Sequence, residues 1–158
     1  MTENALPDVA SVLLQVVTSV PEPSRPRFLA LLERTAADRY EKWAAELPAH
    51  ASGLLGCAAR EKEIAATAER LFALDSSGRQ KLEAPLSEAR EAYFALLKLS
   101  IRDQLRLQAI AERTGGGAWR TMAAALPDPN ARAALEQSAE LEEANALHLD
   151  ALVARLPI

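Results

Sequence analysis

The chain's 158 residues are enough for one domain that buries a hydrophobic core without covalent cross-links. Hydrophobic residues make up 49% of the sequence but aromatic residues only 4%, so alanine and leucine must form most of the core, which favours closely packed helices over sheets. The net charge of -4, without any cluster of Lys and Arg, argues against duplex nucleic acid as a partner.

The single cysteine, Cys57, rules out an internal disulfide and suits a reducing compartment. Its apolar context, LLGCAA, favours a small buried residue over a reactive thiol. The first residues include acids but no Lys or Arg, which makes a poor secretory signal, and no apolar run approaches the ~20 residues that span a bilayer. We therefore expect a cytoplasmic protein with no membrane partner.

An amphipathic helix is predicted near the N-terminus. Apolar residues from Val9 to Val20 recur at spacings of three and four, which indicates a helix over 7–20 that the prolines of PEPSRP end. Its aliphatic face either packs across the rest of the molecule or joins two copies, and we expect a homodimer or other homo-oligomer. This helix and its proline-rich linker form residues 1–26, and the main helices fill residues 27–158.

Four main helices are predicted, and no segment has the pattern of a strand. Caps, prolines and polar turns bound them over residues 24–47, 54–74, 86–114 and 131–156. The three glycines at 115–117 should end the third helix rather than cradle a phosphate, because no strand precedes them and no Gly-Lys-Ser/Thr follows. The link from Asp75 to Pro85 is long enough to cross a whole bundle, but an up-and-down bundle with a slack loop fits equally well.

The face of each main helix that is predicted to point inward carries one carboxylate among apolar residues. These acids are Glu33, Glu61, Asp103 and Glu142. Acids are seldom buried without a partner, and no Lys or Arg lies on the inward faces, so a cation or shared protons must compensate the four carboxylates.

A second interpretation is that the acids form partly buried salt bridges. Arg34, Arg60 and Arg102 each adjoin one acid in sequence, and a long arginine side chain can curl to meet a carboxylate of a neighbouring helix. The two histidines offer less: His50 is expected at the surface, and His148, one turn beyond Asn145, at a helix edge.

The chain resembles the ferritin-like, rubrerythrin-type bundle in several segments. ERTAADRY at 33–40 and REKEIA at 60–65 resemble its first half, and IRDQLRLQAIAERT followed by LEEANALHLDAL is similar to its second half. The resemblance covers residues 27–156. It implies an all-α, four-helix bundle with a crossover after the second main helix, in which four carboxylates and the two histidines of Glu-x-x-His pairs hold two iron or manganese ions.

The sequence departs from this family pattern at both histidines. Ile64 stands at one position and Asn145 at the other. Asparagine offers a carbonyl oxygen to a hard cation, whereas isoleucine offers no ligand atom. By resemblance, the implied metal ligands are Glu33, Glu61, Asp103, Glu142 and Asn145.

Three hypotheses about function follow. The first is a ferritin-like bundle whose carboxylate site has degenerated, which serves as a non-catalytic structural, interaction or small-ligand-binding module and needs no cofactor. The alternative is a dimetal carboxylate protein, with Fe or Mn as cofactor, that acts on oxygen, peroxide or iron. The third is an unrelated helical interaction domain. The sequence names no catalytic residue, substrate or partner protein.

Overall fold

The structure, a computed structural model, describes residues 6–157. Within that range it is all-helical and contains no strand, so the predicted all-α class is confirmed. The helices are α1 (Val9–Ser19), α2 (Arg25–Glu46), α3 (Ala51–Leu71), α4 (Ser76–Leu96), α5 (Ile101–Ala125) and α6 (Pro129–Val153). Single turns of 3-10 helix precede α2 and α3. None of the helices in this range is long and apolar enough to cross a membrane.

Helices α2 and α3 form one hairpin, and helices α5 and α6 form another. The antiparallel direction of α5 and α6 is clear from two ion pairs, because Arg113 meets Asp150 while Arg120 meets the earlier Glu143. Each hairpin turn is short and begins or ends at a proline, which stops one helix and starts the next. The two hairpins pack together, with α3 against α6.

Helices α2 and α5 face each other through long side chains rather than through close backbone approach. The hydroxyl of Tyr40 donates to Glu112, and the indole N–H of Trp43 donates to Gln104, at 2.7 and 3.0 Å. Because the later residue of α2 meets the earlier residue of α5, these helices also run antiparallel. The wide gap between them is filled by polar and aromatic side chains, and this is where the candidate site lies.

Helices α1 and α4 cover the outside of this four-helix arrangement. The apolar side of α1, with Val9, Leu13 and Val16, and the adjoining Val20 are buried in the same core as Phe28 of α2. Of the two alternatives predicted for this aliphatic face, the structure shows the first, in which the face packs across the rest of the molecule. Helix α1 also contacts α4 and α5, so it closes the gap between α2 and α5 from outside.

The third main helix differs from the prediction, which placed it over 86–114. The helix is interrupted at residues 97–100 instead. Ser100 caps the N-terminus of α5 there, because its side chain accepts a hydrogen bond from the Asp103 amide. The side-chain amide of Gln104 donates to the carbonyls of Leu97 and Leu99, which satisfies backbone groups that the break leaves open. None of these residues is a strong helix breaker, so the side-chain hydrogen bonds of Ser100 and Gln104 determine where α5 begins.

The link from Asp75 to Pro85, predicted to be either an extended crossover or a slack loop, is helical instead. It forms the first half of α4, where the Asp75 side chain accepts a hydrogen bond from the Gly78 amide and caps the helix. Pro85 lies inside α4 and is tolerated there, although it removes one backbone hydrogen bond. The connection between the two hairpins is therefore a helix.

Candidate metal centre

Three glutamates from three helices meet in the middle of the molecule. Glu33 of α2, Glu61 of α3 and Glu142 of α6 each offer a carboxylate oxygen, and these three oxygens lie within 4.8 Å of one another. Glu61 and Glu142 are almost completely buried, at 0% and 1% exposure, and Glu33 is 8% exposed. The sequence predicted that these three acids point inward, and the structure places all of them in one cluster.

The fourth carboxylate of this cluster is Glu112 of α5, which the sequence analysis missed. It is 2% exposed, and its carboxyl group adjoins those of Glu61 and Glu142. Oε1 of Glu112 accepts hydrogen bonds from the Tyr40 hydroxyl at 2.7 Å and from the Gln108 side-chain amide at 2.6 Å. We call Glu33, Glu61, Glu112 and Glu142 the carboxylate cluster.

Asp103, the acid predicted for this helix, lies outside the cluster. It sits in the first turn of α5, half-buried, where it accepts a hydrogen bond from the Ser100 hydroxyl and pairs with Arg106. An acid in the first turn of a helix is stabilised by the helix dipole, which explains its presence there without a ligand role. The prediction assumed one continuous helix through residues 97–100. The interruption changes which residues of α5 face inward, so the face that was predicted to carry Asp103 is not the inward one.

Asn145 belongs to the cluster but presents its amide N–H group rather than its carbonyl oxygen. Its Oδ1 accepts a 2.6 Å hydrogen bond from Nε of Arg60. Nδ2 therefore faces inward, where it donates a short hydrogen bond to Oε1 of Glu61 and lies 3.5 Å from Oε2 of Glu112. The sequence predicted Asn145 as a metal ligand through oxygen, whereas in this arrangement it orients the carboxylates.

A second arginine reaches the cluster in the same indirect way. Nε and Nη2 of Arg39 donate to Oε1 of Gln108 at 3.2 and 3.0 Å, and Nε2 of Gln108 in turn donates to Oε1 of Glu112 at 2.6 Å. In both cases a side-chain amide separates a guanidinium from a glutamate. Among residues 6–157, none of the ion pairs includes a glutamate of the cluster.

The other predicted salt bridges involve different partners. Arg34 forms a bidentate pair with Glu69 on the surface, and Arg102 donates to the carbonyl of Leu156. His148 lies against Gly53, on the other side of Asn145 from the cluster acids, and burial lowers the pKa of its imidazole. Salt bridges to these residues therefore do not compensate the buried carboxylates.

The indole of Trp119 and two glycines of α5 shape the remaining side of the cluster. Nε1 of Trp119 lies 3.3 Å from Oε1 of Glu33 and 3.2 Å from Oε1 of Glu142 and donates to both. A Cβ atom at Gly115 would lie only 2.6 Å from Oε1 of Glu142, and one at Gly116 would contact the α6 backbone at 3.4 Å. These glycines were predicted to end the helix, but α5 continues through them because they make room for α6.

Burial raises the pKa of three glutamates of the cluster, Glu33, Glu61 and Glu142. Loss of hydration is the largest cause for Glu33, Glu61 and Glu142, and neighbouring carboxylates add to it at Glu61 and Glu142. The pKa of Glu33 rises to about 7, and those of Glu61 and Glu142 rise well above the ordinary range. The same cause raises the pKa of the Cys57 thiol to about 11, in agreement with the predicted inert, buried cysteine.

The residues present fit a hard divalent cation. The cluster supplies only carboxylate oxygens, since the position that the resemblance assigns to one histidine is Ile64, fully buried in the hydrophobic core. Oε2 of Glu61 is buried and receives no hydrogen bond from the described part of the chain. An unpartnered oxygen on one of these clustered carboxylates is an available ligand atom.

The sequence did contain a signal for Glu112 and Trp119. If the glycines are treated as helical, the positions from Leu105 onward recur at spacings of three and four and place both residues on one inward face. That face consists of Leu105, Gln108, Glu112, Gly116, Trp119 and Ala123, all of which are buried. Assigning 115–117 as a helix end hid this pattern.

Comparisons with protein-family models, with curated proteins and with solved structures give no match for this chain.

Proposed function

We propose that this chain is a ferritin-like bundle that binds a divalent metal ion, Fe²⁺ or Mn²⁺, at the carboxylate cluster. The observation that carries the proposal is the convergence of Glu33, Glu61 and Glu142, with oxygens within 4.8 Å of one another and one oxygen of Glu61 unpartnered. Glu112 supplies the fourth carboxylate. Its side chain is one methylene longer than that of Asp103, the residue expected to supply it.

The charge balance of the buried cluster supports a cation. Several carboxylates in a dry core lose hydration and repel one another, which costs several kcal/mol per charge unless something compensates it. Arg39 and Arg60 contact amides rather than acids, so their positive charges act at a distance. A bound cation would neutralise the acids directly and use the oxygens that the amides leave free.

The protein's own side chains would hold the acids in place. Trp119, Tyr40, Gln108 and Asn145 each donate a hydrogen bond to a cluster carboxylate. Neutral donors of this kind fix a carboxylate's orientation without occupying the metal position, which is how outer partners tune a metal site. A bound iron or manganese ion would supply one-electron chemistry towards oxygen or peroxide, which is what the resemblance implies.

The arrangement of helices supports the ferritin-like part of the proposal. Gly53 and Glu61 of α3 lie near His148 and Asn145 of α6 respectively, so α3 runs antiparallel to α6, as α5 also does. Helices α3 and α5 therefore run in the same direction. We infer that α4 replaces the extended crossover that the resemblance implies between them.

A second candidate function is a metal-free structural or ligand-binding module. Two observations favour it: Ile64 offers no ligand, and Asn145 points N–H donors at the acids. Burial raises the pKa of Glu33, Glu61 and Glu142, so these carboxyl groups hold protons at a higher pH than exposed glutamates do. Protons shared among the acids would then take the place of the cation.

Elemental analysis of protein purified without chelator or metal-affinity resin separates the two candidates. We expect Fe or Mn to co-purify, and Mn²⁺ added to metal-depleted protein to bind with a defined stoichiometry that calorimetry measures. Glu61→Gln should weaken binding by at least roughly tenfold because it removes a charged ligand. Glu63→Gln, an exposed position on the same helix, is the matched control and should bind normally. Absence of binding by the wild type would favour the metal-free module.

A further inference from the structure

A small cavity connects the carboxylate cluster to the underside of α1. It has a volume of about 90 Å³. Glu33, Glu112 and Glu142 lie on its lining, and aliphatic side chains of α1 and α2, including Leu13, Val17, Leu29 and Leu32, form much of the rest. The cavity thus joins an apolar wall to a polar inner surface.

Arg39 also lines this cavity and is held in a fixed orientation. Its guanidinium carbon lies 3.8 Å from the centre of the Tyr93 ring, and Nε and Nη2 are bonded to Gln108. Nη1 is buried and has no hydrogen-bond partner in residues 6–157, nor is any carboxylate of that range within 4.0 Å of the group. Arg39 as a whole is half-buried, but this N–H group is shielded from water, and a shielded charged donor normally has an acceptor, so the unused donor indicates an anionic ligand.

We propose that the cavity binds a small aliphatic monocarboxylate, between acetate and butyrate in size. Its carboxylate accepts a hydrogen bond from Nη1 of Arg39, and its alkyl group lies against Leu13, Val17 and Leu29. The inference rests on the proposed function, because the glutamates on the lining repel an anion until a metal ion compensates their charge.

The volume sets the size of the ligand. A cavity of about 150 Å³ accommodates benzene, so the ~90 Å³ found here holds roughly four non-hydrogen atoms, with room for a slightly longer chain at its mouth. Arg39 favours a ligand with a carboxylate group over a purely apolar one. Its guanidinium lies on the lining and is already positioned by Tyr93 and Gln108. Preorganisation of this kind lowers the entropic cost of binding.

The test is calorimetric titration of propionate into Mn²⁺-loaded protein in a carboxylate-free buffer. We expect saturable binding, weaker by roughly 10- to 100-fold in Arg39→Met because a charge-assisted hydrogen bond is lost. Arg34→Met, on the same helix but paired with Glu69 at the surface, is the matched control and should bind propionate normally. Propionamide, which is neutral and of the same shape, should bind at least roughly tenfold more weakly than propionate.

A second variant keeps the test decisive if Arg39→Met unfolds. Val17→Phe narrows the cavity from α1 while Arg39 and the glutamates themselves are unchanged, and it should abolish propionate binding while Mn²⁺ still binds. Mn²⁺ binding is measured separately by electron paramagnetic resonance. If Mn²⁺ binds but propionate does not, or if propionate binds equally well to Arg39→Met, the inference is overturned and the metal proposal stands. If no Mn²⁺ binds, the metal proposal fails. Propionate that still binds the metal-free protein, and binds Arg39→Met more weakly, would then support the cavity site with protons instead of a metal ion compensating the glutamates, and absence of propionate binding would overturn this inference as well.

Discussion

Nε of Arg60 lies 2.6 Å from Oδ1 of Asn145, and this contact determines which end of the amide faces the buried acids. With its oxygen held by the guanidinium, the Asn145 amide can only donate to Glu61 and Glu112. The residue that the resemblance assigns to a ligand position therefore acts as a hydrogen-bond donor to the ligands.

Replacing Asn145 with leucine should destabilise the metal-free protein. The substitution keeps the branched shape of the side chain but removes the donor to Glu61 and the acceptor of Arg60, and leaving buried polar groups unpaired costs about 1–3 kcal/mol. Urea unfolding in the presence of a chelator measures the change. Arg60→Met, which removes only the half-buried outer partner, should cost about 1 kcal/mol. Equal or greater stability of Asn145→Leu would show that the amide does not satisfy the acids.

The three glycines of α5 should respond differently to alanine. Alanine is favoured over glycine in a helix by about 1 kcal/mol, and a Cβ at Gly117 meets no atom within 4 Å, so Gly117→Ala should stabilise the protein by up to that amount. At Gly115 the new Cβ would displace the Glu142 carboxylate, so Gly115→Ala should gain no stability and should weaken Mn²⁺ binding by roughly tenfold. Thermal unfolding and calorimetry measure both effects. Identical behaviour of the two variants would contradict the packing of α5 against Glu142.

Trp119 should report metal binding by fluorescence. The chain contains two tryptophans, and Trp119 donates to two cluster acids whereas Trp43 donates to Gln104. Paramagnetic ions bound among those acids should quench Trp119 more strongly. We expect Trp43→Phe to retain most of the quenching by Mn²⁺ and Trp119→Phe to lose most of it. The opposite pattern would place the ion outside the cluster.

The metal-free protein should lose stability as the pH rises from about 5.5 to 8. The folded state holds the pKa of Glu33 at about 7, above its ordinary value of 4.5, so it binds more protons than the unfolded state between these two pH values. The resulting stabilisation is complete below pH 4.5, the ordinary pKa of glutamate, and is lost as the pH rises through about 7, the pKa of Glu33 in the folded state. For Glu33 alone this amounts to about 3 kcal/mol, and the acids that adjoin it act in the same direction.

Urea unfolding in chelator at several pH values measures this slope. Glu33→Gln, which cannot ionise, should flatten it. Mn²⁺ should reverse it, because metal binding requires deprotonated carboxylates and strengthens as the pH rises. A metal-free protein whose stability rises steadily from pH 5.5 to 8 would contradict the burial of these acids.

The sequence predicted the helices with strong boundary signals and the acids on them. Helices α2, α3 and α6 lie between prolines and polar turns, so their periodicity could be assigned to the correct face, and Glu33, Glu61 and Glu142 were found. The boundaries of α5 depend on contacts that no local pattern reveals. Gln104 satisfies the carbonyls at the break before this helix, and packing against Glu142 retains its glycines.

We propose that Glu112, rather than Asp103, completes a metal-binding cluster with Glu33, Glu61 and Glu142. The most direct test is Mn²⁺ titration of the wild type, Glu112→Gln and Asp103→Asn under identical conditions. We expect Glu112→Gln to weaken binding by roughly 10- to 100-fold and Asp103→Asn to bind as the wild type does. Loss of binding in Asp103→Asn with normal binding in Glu112→Gln, or no binding by the wild type, would show that Glu112 does not complete the site.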